Sequence, residues 1–143
     1  MSAIRHFFIP GEPQGKGRPR FMRNGHTYTP EKTRSYEKAI QYYYVAQCHH
    51  DPYPKDVALR IGIQAVFEPP KSTPKKRLLD MLAAVLKPTK KPDWDNIGKV
   101  ICDSLNGIAW HDDSQITSAT VKKRYGPEAG VDVWIMEDSD DAV

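Results

Sequence analysis

Strands and helices that mix without strict βαβ alternation predict an α+β fold, a single compact domain over residues 1–143 with a small mixed β-sheet flanked by helices. Three observations carry that expectation. A length of 143 residues suits one core. The run from Val57 to Phe67 alternates apolar and polar residues at period two. Three other stretches repeat apolar residues at helical spacing, and neither an internal repeat nor a linker divides the chain.

Ile4 to Ile9 reads as the first strand, closed by Pro10. Residues 11–20 are too rich in glycine and proline for regular structure, so this loop should present Lys16, Arg18 and Arg20 to solvent. Thr29-Pro30-Glu31 resembles a helix start, with Thr29 as N-cap and Pro30 at the first helical position. That helix should run to about Gln47, with Tyr36, Ile40, Tyr43 and Tyr44 as packing residues. The strand 57–67 follows and ends at Pro69-Pro70.

Pro74 to Lys87 carries a helical stripe of Leu78, Met81, Leu82, Val85 and Leu86. Lys75, Lys76 and Arg77 open it, against the helix dipole, so stability does not explain them and phosphate contact would. Asn96 to Asn106 is the last helix, burying Ile97, Val100, Ile101 and Leu105 before Asn106-Gly107 stops it. Residues 115–125 and 131–136 read as a closing pair of strands, and 137–143 as a flexible acidic tail.

The charge is segregated. Arg5 to Lys38 holds eight basic and three acidic residues, and Lys71 to Lys91 holds seven basic and one acidic. Between Asp93 and Asp113 one lysine faces five aspartates. Basic flanks around an acidic pocket suit an enzyme that holds a polyanion beside a metal ion. The two cysteines, Cys48 and Cys102, make no disulfide framework and imply a reducing, cytoplasmic setting. Cys48-His49-His50 lacks a second pair at zinc spacing. No apolar leader or membrane-length run is present, so no membrane is expected as a partner.

The chemistry concentrates after Lys90 and Lys91. Asp95, Lys99 and Asp103 are four residues apart and share a helix face. Asp93 and Asp95, two apart in extended backbone, should point the same way, with Trp94 turned into packing. After a short turn, Asp112-Asp113 can return one carboxylate to the same place. Three convergent carboxylates suit Mg²⁺, and Lys99 would supply a fixed positive charge to a phosphate. The competing reading is structural: Asp93 and Asp95 cap the helix, and Lys99 pairs with Asp103 or Asp95. His111 could serve as a general acid or base but reads as solvent-exposed.

Lys91-Pro92-Asp93-Trp94-Asp95-Asn96-Ile97-Gly98-Lys99, then Asp103-Ser104-Leu105-Asn106-Gly107, then Asp112-Asp113-Ser114-Gln115-Ile116 resembles the signature of the RusA family of Holliday junction resolvases. Gly15-Lys16-Gly17-Arg18-Pro19-Arg20-Phe21 and Tyr28-Thr29-Pro30 resemble its phage and prophage branch. The resemblance implies a RusA-like fold and a homodimeric, Mg²⁺-dependent endonuclease that nicks four-way DNA junctions symmetrically in recombination and repair, Mn²⁺ being a possible substitute. It places Asp93, Asp95 and Asp113 as the essential carboxylates and metal ligands, with Lys99 as the catalytic lysine. Asp103 is then expected to support these from behind and Asp112 to orient the turn. Lys16, Arg18, Arg20, Lys75, Lys76, Arg77, Lys90 and Lys91 are the candidates for DNA backbone contacts. A broader nuclease for flaps and forks, and a noncatalytic junction-binding protein, remain the alternatives.

Overall fold

A computed structural model of the chain describes residues 4–17, 19–49 and 51–139. Six strands, three helices and one 3-10 turn follow in the order β1 (Arg5–Pro10), β2 (Arg20–Phe21), β3 (Thr27–Tyr28), α1 (Glu31–Cys48), β4 (Leu59–Phe67), α2 (Lys75–Leu82), α3 (Trp94–Leu105), the turn Asp113–Gln115, β5 (Ile116–Tyr125) and β6 (Gly130–Glu137). Four strands form one mixed sheet in the order β1-β6-β4-β5, so the α+β expectation holds.

Strand β4 organises the molecule. Its odd-numbered residues, Leu59 through Phe67, are all buried, as period-two alternation requires of a strand with one face on the core. It pairs antiparallel with β6 and parallel with β5. A parallel neighbour needs a crossover, and α2 and α3 supply it. Residues 115–125 and 131–136 are strands as expected, but they do not pair with each other, because β4 lies between them.

Helix α1 buries Tyr36, Ile40 and Tyr44 and packs the half-buried Tyr43 against the core, as expected of these four, while Tyr42 is exposed. Its cap differs from expectation: Pro30, not Thr29, holds the N-cap position, and no side chain caps it. Helix α3 buries Ile97, Val100, Ile101 and Leu105. Each such side chain contributes about 1.5–3 kcal/mol by leaving water, which fixes the helix on the sheet. Together these residues join one hydrophobic cluster with β1, β4 and β6.

Helix α2 is shorter than its apolar stripe. It stops at Leu82, only Met81 is buried, and Val85 is exposed. Ala84 turns the chain at φ 63°, where the amides of Val85 and Leu86 both bond the Asp80 carbonyl. Left-handed backbone normally marks itself with glycine, and here an alanine takes it. A second departure is the β2–β3 hairpin, which pairs Arg20 with Tyr28 and Phe21 with Thr27. Asn24-Gly25, with Gly25 at φ 86°, is the turn signal for it. The acidic end is partly tied down: Asp138 pairs with Arg60 at 2.9 Å and accepts from Thr117 at 2.7 Å. Residues 140–143 of that segment lie outside the described residues.

Candidate active site

The first turn of α3 is the centre of the site. Asp93 occupies its N-cap position in extended backbone, yet its carboxylate makes no capping bond. Asp95 lies inside the first turn rather than in extended chain before it, which corrects the expected geometry. Trp94 is 65% exposed, so it does not turn into packing; the buried stripe begins three residues later, at Ile97.

One and two turns on, the same face carries Lys99 and Asp103, whose Nζ and Oδ2 lie 3.5 Å apart. Asp103 also holds Lys16 at 3.2 Å, and Lys16 reaches Glu37 of α1 at 2.7 Å. Lys16 is therefore not the free, solvent-facing cation expected of its loop. Burial alone would lower the Lys16 pKa, but hydrogen bonds and charge from Glu37 and Asp103 outweigh it and raise the pKa above its ordinary value. A folded-state pKa above the unfolded one means its contribution is whole at neutral pH and is lost only as pH climbs through the folded value.

The glycine loop fits against α3 closely. The Lys16 amide donates to the Asn96 carbonyl at 3.2 Å, and the Gly17 amide to Thr33 Oγ1 at 3.1 Å. A Cβ on Gly15 would stand 3.0 Å from both Asn96 Cβ and Pro92 Cβ, so a side chain there would lift the loop. Between loop and helix lies a cleft of about 580 Å³, lined among others by Lys16, Arg20, Lys32, Lys91, Asp93 and Asn96. Of the other expected DNA contacts, Lys75, Lys76, Arg77 and Lys90 are exposed but do not line this cleft. Arg18 lies outside the described residues.

The second half of the site is the turn at Asp112-Asp113. The Asp112 carboxylate accepts from the Ser114 hydroxyl and, at 3.2 Å, from the Ser114 amide. Those bonds, the hydroxyl's first, hold the Asp112 pKa below the usual carboxylate value. Gln115 completes the turn: its Oε1 accepts from the amides of His111 (2.8 Å) and Asp112 (3.2 Å), while its Nε2 donates to the carbonyls of Pro54 and Val57. Sequence reading passed over Gln115, although Asp-x-x-Gln is a capping-box pattern that could have revealed it. Asp113 stands close enough to α3 to act on Cys102. Burial, then the charges of Asp113 and Asp103, push that thiol up to about 11, against an opposing pull from Lys99.

The five aspartates thus divide. The carboxylates of Asp103 and Asp112 are occupied by Lys16, Lys99 and Ser114. Those of Asp93, Asp95 and Asp113 have no hydrogen bond or ion pair among the described residues. As hard oxygen donors they suit a divalent cation. Among the described residues no three His, Cys, Asp or Glu side chains are gathered into a metal-holding group.

Gln115→Ala would leave the His111 and Asp112 amides and the Val57 carbonyl without partners, while the Pro54 carbonyl keeps its bond from the Val57 amide. It is expected to cost about 2 kcal/mol, read in a denaturant melt, and to lower DNA cleavage more than DNA binding. An unchanged midpoint would show that the turn holds without Gln115.

A glycine loop thus closes over the N-terminus of α3 beside a cationic cleft, and three carboxylates of α3 and the following turn make no hydrogen bond or ion pair among the described residues. The chain belongs to the RusA endodeoxyribonuclease family, whose family model matches residues 10–136, and thus to a class of DNA-cleaving hydrolases. It is also 34% identical to the uncharacterized protein YqaN of Bacillus subtilis (strain 168), over 96% of this chain and 98% of that protein. Among the described residues no helix is long and apolar enough to cross a membrane.

Proposed function

We propose that this chain is a Mg²⁺-dependent, structure-selective endodeoxyribonuclease that resolves four-way DNA junctions by paired symmetric nicks, acting as a homodimer in recombination and repair. One observation carries the reading: of the five aspartates between residues 93 and 113, the three without hydrogen bonds or ion pairs among the described residues are Asp93, Asp95 and Asp113. A carboxylate at a helix N-cap that forgoes the capping bond gives up about 1 kcal/mol. Its position is better explained by chemistry than by helix stability.

Asp93, Asp95 and Asp113 would hold the cation, which lowers the pKa of an attacking water and stabilises charge on the scissile phosphate. Lys99 reaches over the same face, 61% exposed, and is placed to neutralise a phosphate oxygen as charge develops. Asp103 positions Lys99, and Lys16 anchors Asp103 from the glycine loop. Arg20, Lys32 and Lys91 line the cleft as backbone contacts, which set affinity rather than base choice. A four-way junction is close to two-fold symmetric, so an isologous dimer presents two sites to opposed strands.

The test is cleavage of labelled four-way, Y-shaped and linear DNA of equal length in Mg²⁺. Paired nicks on the four-way substrate alone are expected. Equal cutting of Y-shaped DNA would replace a resolvase with a broader branched-DNA nuclease. Binding without any cleavage, in Mg²⁺ or Mn²⁺, would leave a junction-binding protein.

A further inference from the structure

We infer that a second basic groove, on the edge of the sheet, takes the phosphate backbone of a duplex arm leading away from the cleavage site. The inference rests on the DNA-nuclease reading above and extends it to Lys122 and Arg124, which lie outside both basic flanks of the sequence. The groove has a volume of about 460 Å³ and is lined by Gln64, Ala84, Lys87, Lys122, Lys123 and Arg124. None of its residues is acidic, and its cations Lys87, Lys122 and Arg124 have no carboxylate partner among the described residues; the Lys123 ammonium turns away to the other face.

Three consecutive cations on one strand work against both strand propensity and mutual repulsion. Protection of an edge strand explains some lysine, because charge deters pairing with another chain. It does not explain why Lys87 arrives from a different element to join them. Strand β5 is that edge, and its register sets Lys122 beside Gln64 and Arg124 beside Val66, on one face of the sheet. Alternate residues of a strand are ~6.6 Å apart, so the two cations can meet separate phosphates.

A single stretch of chain links the groove to the site. Lys123 projects to the other face, over the Phe67 ring, and its Nζ donates to the Lys90 carbonyl at 2.5 Å. Val121, next along β5, packs against α3, where a Cβ on Gly98 would stand 3.6 Å from its Cγ2. The segment 87–93 carries Lys87 in this groove and Lys91 and Asp93 in the cleft of the site, so it ties the two together along the chain.

The experiment compares the wild-type chain with Lys122→Gln/Arg124→Gln and with a control of equal charge loss, Lys55→Gln/Lys71→Gln, whose residues are exposed and lie in neither cleft. Fluorescence anisotropy with a linear duplex and with a four-way junction, in EDTA, is followed across salt, and circular dichroism checks folding. The groove variant should bind both DNAs about tenfold more weakly, with its salt slope reduced by about 2, while the control keeps the wild-type slope. A groove variant indistinguishable from the control would overturn the inference. Wild-type binding to duplex with no preference for the junction would sink junction selectivity and leave the groove standing. Wild-type failure to bind either DNA at any salt would sink both.

Discussion

Asp95→Asn and Asp93→Asn are each expected to lower cleavage of a four-way junction by roughly 10³-fold. Binding of the same junction in EDTA should be kept or tightened. Each substitution preserves size and removes one negative charge from the first turn of α3, and Asp93 itself lines the cleft that presents Arg20, Lys32 and Lys91 to a polyanion. Neither carboxylate has a hydrogen bond or ion pair to lose, so the thermal midpoint should stay near wild type. Asp103→Asn is the informative contrast. It strips the shared counter-charge from Lys16 and Lys99, so it should cost stability as well as activity. If Asp95→Asn cleaved as well as the wild type, the carboxylates of α3 would be surface decoration and the nuclease site would lie elsewhere.

The division of labour among the aspartates shows how far the sequence could be read. Period-two alternation located β4 because burial of one face leaves that pattern and no other. The helical stripe located α3 for the same reason, and Asp95, Lys99 and Asp103 followed from its spacing. What escaped were long-range pairings. Nothing in residues 115–136 states that β4 will come between their two strands. Nor does the glycine loop announce that Lys16 will be claimed by Glu37, twenty-one residues on, and by Asp103. Trp94, an aromatic between two acidic residues, looks like an anchor, whereas the helix starts at Trp94 itself and sets it on the outer face. Helix α2 is shorter than its apolar stripe because the backbone breaks at Ala84, without the glycine that usually announces such a break.

Trp110→Ala should be the most destabilising single change near the site, at about 3–5 kcal/mol. Trp110 is fully buried, and it is the largest of the fully buried side chains. It stands where the chain reverses from the end of α3 toward Asp112-Asp113: its carbonyl accepts from Gly107 at 2.9 Å, and it bridges to Asn106. Total stability of a domain is only about 5–15 kcal/mol, so a loss of this size should lower the midpoint by roughly 10–15 °C. Trp110→Phe separates packing from hydrogen bonding. The indole Nε1 is buried and without a partner among the described residues, so the ring swap deletes an unsatisfied donor along with some volume. Its removal offsets part of the cavity cost, and Phe should therefore lose less than half of what Ala loses. Asp113 is carried on the turn that Trp110 supports, so cleavage by the alanine variant should fall even well below its melting temperature. A Trp110→Ala chain that melts within two or three degrees of wild type, or cleaves at the wild-type rate, would mean that Gln115 alone holds the turn and that the core beneath it plays no part in placing Asp113.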